Sequence, residues 1–268
     1  MTNTRWFTKS KTAAPTRLRL FCFPYAGGGA SAFSSWAEYM PPGVEVWGVQ
    51  PPGRENRIAE PAFEQLHPLV DEFLAVLPAH LDLPLALFGH SLGAIIAFQV
   101  ARELRRRYDL LPLCLFTSAR TAPQLPTRQE PVYGLPDSAF VNRLREFNGT
   151  PEAILQDQNL MKWFMPLLRA DFQVNETYTY SPEPPLACPI SAFRGSKDKV
   201  VSYEEVAAWR EQTSNSFTLR TIPGDHFFIQ NSKDLFLQIL AFDLKQLLDK
   251  QAQAFQWPLP VHDSLLRQ

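Results

Sequence analysis

The stretch FGHSLGAIIAFQ, residues 88–99, places a serine between two glycines where an apolar run of strand length meets a helical pattern. It contains the one G-x-S-x-G sequence of the chain, at residues 89–93. Where such a pentapeptide ends a buried strand and opens a helix, the backbone turns sharply and exposes the serine hydroxyl at the edge of the sheet. The context predicts that Ser91 is a nucleophile, and the alternative is a plain tight turn that requires a small residue.

Short apolar runs recur on both sides of this stretch and alternate with helical patterns. Near-continuous apolar runs of this length are typical of parallel strands that are covered on both faces. The alternation of strands with helices predicts an α/β fold with a doubly wound, mostly parallel sheet. The predicted strands are residues 18–23, 44–50, 85–89, 113–119, 190–195 and 217–222.

The connection between the fourth and fifth of these strands is much longer than the others. Residues 121–187 contain no strand pattern, and residues 137–147 and 160–178 are the predicted helices there. Because connections of this length are usually functional, we predict a helical lid. The chain is then a single domain, residues 1–268, with a lid insertion at about 121–187 and a C-terminal tail at about 251–268.

A serine hydroxyl needs a base that takes its proton, and one histidine of this chain is placed for that role. His226 follows the last predicted strand through a Pro-Gly pair, on a loop at the carboxyl edge of the sheet. Asp198 follows the preceding strand and is predicted to orient the imidazole, with Asp225 as the alternative acid. The order Ser91, Asp198, His226 is the order of the α/β-hydrolase fold.

The tetrahedral intermediate of acyl transfer needs hydrogen-bond donors for its oxyanion. The backbone N–H of Leu92, directly after the serine, is one predicted donor, and the loop after the first strand supplies the other. That loop is PYAGGGAS, residues 24–31, and we assign its donor to the N–H of Ala26. The glycines do not continue into a phosphate-binding motif, and no H-E-x-x-H or paired C-x-x-C is present, so no metal is predicted.

Composition and charge narrow the function classes further. The formal net charge of −1 gives no basic surface for nucleic acid, and no apolar stretch approaches the roughly 20 residues that span a bilayer. The N-terminal residues lack the apolar core of a secretory signal; their lack of acidic residues before Glu38 leaves an organelle transit segment as the alternative. Three widely spaced cysteines, Cys22, Cys114 and Cys188, predict reduced thiols in a cytoplasmic protein.

Seven stretches of the sequence together resemble the stand-alone type II thioesterases of polyketide and nonribosomal peptide synthesis, and are similar to the medium-chain fatty-acyl thioesterase. They are FPYAGGGASAFSSW, VQPPGRENR, FGHSLGA, SARTAP, LLRADFQVNETY, FRGSKDKVV and GDHFFI, within residues 23–229. The resemblance implies an α/β-hydrolase fold with Ser91, Asp198 and His226 as the triad. It also implies hydrolysis of acyl groups from the phosphopantetheine arm of acyl or peptidyl carrier proteins, with no cofactor besides the arm of the substrate.

Two other functions are compatible with the same residues. A carboxylesterase or lipase uses the same triad, and a non-catalytic hydrolase-fold binding protein shares the fold. If a carrier protein is the partner, its acidic surface requires positive charge near the site. The lid residues Arg143, Arg145, Lys162 and Arg169 are the predicted docking charges, whereas Arg102, Arg105, Arg106 and Arg107 close the helix after Ser91 far from the site.

Overall fold

The computed structural model describes residues 4–12, 14–126, 128 and 130–254. The strands are β1 Phe7–Lys9, β2 Leu18–Phe23, β3 Val44–Val49, β4 Leu85–His90, β5 Leu115–Ser118, β6 Ile190–Gly195 and β7 Phe217–Ile222. They form one sheet in the order β1-β3-β2-β4-β5-β6-β7. β1 is antiparallel to β3, and the remaining neighbours are parallel.

Helices cover the sheet and fill the long connection between β5 and β6. The α-helices are α1 Leu66–Val76, α2 Leu92–Tyr108, α3 Asp137–Phe147, α4 Glu152–Gln156, α5 Gln158–Glu176, α6 Tyr203–Ala207, α7 Phe228–Asn231 and α8 Lys233–Ala254. Short 3-10 helices lie at Thr4–Trp6, Ala30–Phe33, Trp36–Tyr39, Glu55–Arg57, Leu77–His80 and Ala208–Gln212.

The core has one apolar layer on each face of the sheet, because successive strand residues point to opposite faces. On β2, Phe21 and Phe23 pack with residues of α1 and α2, whereas Leu20 and Cys22 pack with residues of α8. All six residues of β4 are buried. This arrangement confirms the doubly wound, mostly parallel α/β sheet that the apolar runs predict.

The predicted strands are confirmed within two residues at each end, but β1 is an addition. Only Phe7 of its three residues is buried, so the strand has neither the length nor the alternation that sequence patterns reveal. Its position comes from packing, since the Phe7 ring lies 5.6 Å from the Phe21 ring and 5.1 Å from the Trp47 ring, centroid to centroid.

Between β5 and β6 the described residues contain α3, α4 and α5 and no strand of the sheet. α3 has the predicted bounds, while α5 starts and ends two residues before the predicted helix. The earlier start follows from Asp157, whose carboxylate accepts the N–H groups of Asn159 and Leu160 at 2.8 and 3.1 Å. These helices share a small apolar cluster of their own: Val132, Phe140, Leu144, Leu155, Met161 and Leu168.

The C-terminal helix extends into the predicted tail. α8 continues to Ala254, and residues 255–268, which make up most of that tail, lie outside the described residues. None of the described helices is long and apolar enough to cross a bilayer. The three cysteines are buried and unpaired.

Candidate active site

Ser91 lies on the turn between β4 and α2, at φ 54° and ψ −115°. Few residues with a side chain adopt this backbone conformation, so the turn is strained. Both flanking glycines are required by close approach: a Cβ atom on Gly89 would lie 2.0 Å from the Gly93 carbonyl oxygen, and one on Gly93 would lie 2.1 Å from the Phe23 carbonyl oxygen. The Ser91 N–H donates to the Ser118 carbonyl oxygen at 2.8 Å, which ties the turn to β5.

The structure brings the side chains of Ser91, His226 and Asp198 into one hydrogen-bonded series. His226 Nε2 lies 3.1 Å from Ser91 Oγ, and His226 Nδ1 lies 2.9 Å from Asp198 Oδ2. The exposed fraction of the side chain is 8% for His226 and 0% for Asp198, so the pair is shielded from water. The second oxygen, Asp198 Oδ1, accepts the N–H groups of Val200 and Val201 at 2.8 and 3.2 Å. The carboxylate is therefore fixed from both sides.

The alternative acid, Asp225, faces away from this series. Its Oδ1 accepts the N–H of Phe227 at 2.9 Å, and its Oδ2 accepts a hydrogen bond from the Asn148 amide at 3.1 Å. Asp225 thus fixes the start of α7 and contacts the end of α3, and Asp198 is the acid next to His226.

The histidine adjacent to the serine, His90, is buried below the turn. Its Nδ1 lies 2.9 Å from Ser118 Oγ, and its ring centroid lies 5.4 Å from that of His226. Burial lowers the pKa of His90 well below its usual value, and the nearby His226 lowers it further. A neutral His90 packs against the proposed base without adding a positive charge beside it.

The two predicted oxyanion donors lie at the same cavity as the serine. Ala26 is in the loop after β2 and Leu92 is the first residue of α2; both line the cavity with Ser91 and His226. In the described part of the chain, neither the N–H of Ala26 nor that of Leu92 donates to a backbone carbonyl in a turn, loop or helix cap. Both groups remain available as donors.

The loop that carries Ala26 is held by a buried ion pair that the sequence analysis did not find. Arg54 Nη1 and Nη2 donate to the two carboxylate oxygens of Asp171 at 2.7 and 2.8 Å. The same Asp171 carboxylate accepts the N–H of Gly27 at 2.7 Å, and Arg54 donates to the Gly28 carbonyl oxygen at 3.1 Å. Because Asp171 belongs to α5, this pair joins α5 to the loop after β2. The sequence shows an acidic residue, Asp171, on the apolar face of an amphipathic helix; this indicates a buried carboxylate but not its partner.

The cavity beside Ser91 has a volume of about 710 Å³. Four residues of α3 and α5 give part of its wall an apolar surface: Leu144, Phe147, Leu168 and Phe172. No group of three or more His, Cys, Asp or Glu residues in the described part of the chain is arranged to hold a metal ion. The cavity therefore offers a large space with an apolar side next to a serine, a histidine and two backbone donors.

These features define the class of the protein. The strained serine turn follows β4, the middle strand of a doubly wound sheet, and His226 follows the last strand at the same carboxyl edge. That is the architecture of the α/β-hydrolase fold.

The chain belongs to the thioesterase family, because the thioesterase domain family matches residues 18–247. The gramicidin S biosynthesis protein GrsT of Aneurinibacillus migulanus is 43% identical over 244 residues, which are 91% of this chain and 95% of GrsT. The RedJ thioesterase of the prodiginine pathway in Streptomyces coelicolor has a TM-score of 0.81 at 38% identity, covering 87% of this chain and 94% of RedJ. The type II thioesterase BorB of the borrelidin cluster has a TM-score of 0.80 at 38% identity, covering 88% of this chain and 96% of BorB. The predicted resemblance is confirmed, and the protein is a thioester hydrolase of the serine type.

Proposed function

We propose that this thioesterase removes acyl groups from the phosphopantetheine arm of acyl or peptidyl carrier proteins, as an editing or release enzyme of polyketide, nonribosomal peptide or fatty-acid synthesis. The observation that carries the proposal is the series Ser91, His226, Asp198 at a cavity of about 710 Å³. The names of two similar proteins support the biosynthetic setting, one from gramicidin S and one from prodiginine biosynthesis.

The proposed reaction begins with transfer of the Ser91 Oγ proton to His226 Nε2 as Oγ attacks the thioester carbon. Asp198 holds the imidazole in the tautomer with a proton on Nδ1 and stabilises the imidazolium that forms. The negative oxygen of the tetrahedral intermediate accepts the N–H groups of Ala26 and Leu92. Collapse of the intermediate breaks the C–S bond, the arm leaves as a thiol with the proton from His226, and the acyl group remains on Ser91.

A water molecule then completes the cycle. His226 Nε2 takes a proton from this water as it attacks the acyl-serine carbon, and returns the proton to Ser91 Oγ when the ester bond breaks. The products are a carboxylic acid and the free arm on the carrier. Because every proton moves through His226, this chemistry requires neither a metal nor a cofactor. A cytoplasmic location, which the three buried and unpaired thiols favour, stays a prediction.

The first test compares wild type with Ser91→Ala on an acyl-carrier thioester and a fluorophosphonate probe. We expect the probe to label wild-type Ser91 and hydrolysis to fall by about 10⁴-fold or more in Ser91→Ala, because the nucleophile is lost. Labelling that persists at full level in Ser91→Ala would contradict the assignment of the nucleophile.

The second part of this test separates a thioesterase from a carboxylesterase or lipase. The same acyl group is offered as a carrier thioester and as a small alkyl ester. We expect the higher kcat/KM for the carrier thioester, since binding to the carrier adds to binding of the acyl group. A much higher kcat/KM for the ester would favour the esterase function.

A further inference from the structure

The cavity beside Ser91 contains a cationic side chain that the proposed hydrolysis does not use. Arg120 follows the end of β5 by two residues and lines this cavity. Its backbone is fixed, because the Trp209 indole N–H donates to the Arg120 carbonyl oxygen at 2.8 Å. Since β5 is paired with β4, the strand that leads to Ser91, Arg120 is held at the same edge of the sheet as the serine.

The guanidinium of Arg120 makes few hydrogen bonds for a buried positive charge. Its Nη1–H donates to Asn175 Oδ1, and its Nε is buried without a hydrogen-bond partner. Within the described ranges of the chain, no carboxylate forms an ion pair with Arg120. Burial lowers the pKa of Arg120 to about 10, which still leaves the side chain protonated at neutral pH. Arg120 is therefore a charge without a counter-ion.

Tyr178 supplies a second unused donor on the same wall. It lines the cavity with Arg120, and its hydroxyl is buried with no hydrogen-bond partner among the described residues. Buried hydroxyl and guanidinium groups are rarely left unpaired in folded proteins. Of the seven buried side-chain atoms without a partner in the described part of the chain, those of Arg120 and Tyr178 are the two whose residues line the cavity. At that place they point to an acceptor that arrives with the substrate.

The carboxylates of the cavity wall are already engaged elsewhere. Glu205 is ion-paired with Arg128 at 3.3 Å, and the Glu176 carboxylate accepts two backbone N–H groups at 2.8 and 3.1 Å. Asp198 is paired with His226. None of these carboxylates is bound to Arg120. A negatively charged ligand could therefore bind Arg120 without displacing one of them.

We propose that Arg120 and Tyr178 form a subsite for a carboxylate carried by the acyl chain of the substrate. The carboxylate accepts hydrogen bonds from the guanidinium and the phenol and provides the missing counter-charge. Acyl groups that end in a carboxylate are then hydrolysed in preference to alkyl acyl groups of the same length. The inference rests on the proposed function, because the acyl group reaches the subsite only as a thioester at Ser91.

The test uses glutaryl and pentanoyl thioesters of N-acetylcysteamine, which have equal carbon number and lack the rest of the arm. The measured quantity is the ratio of kcat/KM for glutaryl to that for pentanoyl. We expect this ratio to fall about 10-fold or more in Arg120→Met, because a hydrogen bond to a charged group is lost. Tyr178→Phe removes a hydroxyl that has no partner at hydrogen-bond distance but interacts with the charges of Arg102 and Arg120. Its ratio should also fall, by a smaller factor than in Arg120→Met.

Arg145→Met is the matched control, since Arg145 lies on α3 outside the cavity and is ion-paired with Glu152 at 3.0 Å. It removes one positive charge from the lid and should leave the ratio unchanged. An unchanged ratio in both Arg120→Met and Tyr178→Phe would overturn the subsite. So would an equal loss for both acyl groups that appears only with full-length pantetheine thioesters, because Arg120 would then contact the arm.

A binding measurement separates failure of this inference from failure of the proposed function. Ser91→Ala protein is titrated with each thioester, so that affinity is read without turnover. We expect the preference for glutaryl over pentanoyl to drop about 10-fold in the Ser91→Ala, Arg120→Met double variant. If wild type hydrolyses no acyl-carrier thioester, the proposed function fails, while this affinity ratio still decides the subsite.

Discussion

At the scale of single residues, Asp198 meets two requirements with one side chain. One oxygen accepts the His226 Nδ1–H, and the other accepts the N–H groups of Val200 and Val201. A single well-oriented acid therefore fixes both the imidazole and the loop that carries the acid. The fully buried position strengthens the interaction because water does not compete for the carboxylate.

We predict that Asp198→Asn lowers kcat by about 10⁴-fold with little change in stability. An amide oxygen still accepts the two backbone N–H groups, so the loop is retained. The amide does not hold the imidazole in the tautomer that leaves Nε2 free to act as a base. Steady-state kinetics with thermal unfolding checks both parts.

The neighbouring acid provides the control for this prediction. Asp225→Asn changes a carboxylate that bonds to Phe227 and Asn148 rather than to His226, so its kcat should fall far less. Near-wild-type kcat in Asp198→Asn, together with a large loss in Asp225→Asn, would reverse the two roles.

At the scale of secondary-structure elements, the loop after β2, which carries the proposed oxyanion donor Ala26, is held by a helix that is distant in sequence. Asp171 of α5 and Arg54 are 117 residues apart, and their ion pair bonds to the backbone of Gly27 and Gly28. Their side chains are 2% and 5% exposed, so removal of one partner leaves an uncompensated buried charge. α5 therefore helps to place the Ala26 N–H as well as covering the cavity.

We predict that Asp171→Asn lowers the free energy of unfolding by about 3 kcal/mol, because Arg54 is left buried without its counter-charge. It should also lower kcat, because the amide NH₂ cannot accept the second guanidinium hydrogen bond and the pair that holds the loop is weakened. The double variant Arg54→Met, Asp171→Leu should regain much of the stability, since apolar residues replace the pair, while its kcat stays low. Chemical denaturation and kcat below the unfolding range measure the two effects separately.

A surface ion pair on the lid is the matched control. Asp137 pairs with Arg169 at 2.7 Å, but its side chain is 80% exposed, so Asp137→Asn should change stability by about 1 kcal/mol or less and leave kcat at the wild-type value. If the double variant recovers both stability and kcat, the ion pair has only a structural role.

The same elements show which features a single sequence reveals. The strands and the serine turn were predictable because burial on both faces leaves near-continuous apolar runs, as in β4, and because Gly89 and Gly93 mark the close approach of backbones. The order of Ser91, Asp198 and His226 follows from positions at strand ends. The partners Arg54 and Asp171 were not predictable, because contact across 117 residues leaves no local pattern. β1 was missed for a related reason, since its place depends on the packing of Phe7.

At the scale of the whole molecule, the arrangement of ion pairs restricts where the proposed carrier protein can dock. The arginines at the end of α2 are bound internally, because Arg102, Arg105 and Arg106 contact Glu183, and Arg107 pairs with Glu103. These contacts support the prediction that the arginines at the end of α2 do not serve as docking charges. On the lid, Arg143 pairs with Glu146, Arg145 with Glu152 and Arg169 with Asp137. The predicted docking charges are thus mostly neutralised.

Lys162 differs from the lid arginines. It is exposed on α5 with no ion pair among the residues that the structure describes, and the adjacent Trp163 side chain is 75% exposed. Lys162 precedes the cavity residue Leu168 by six positions, about 9 Å along the helix. A free positive charge beside an exposed aromatic ring near the cavity matches the acidic surface expected of a carrier protein.

We predict that Lys162→Glu raises KM for acyl-carrier substrates about fivefold and leaves hydrolysis of a small acyl thioester unchanged, because the substitution repels the carrier but does not reach the cavity. The defect should shrink at high salt, since exposed charges are screened. Lys245→Glu is the control, because Lys245 is an exposed lysine on α8, which packs on the opposite face of the sheet from α1 and α2. Steady-state kinetics with both substrates at two salt concentrations decides the matter: a selective KM defect in Lys245→Glu but not in Lys162→Glu would place the carrier on the α8 face instead of the lid.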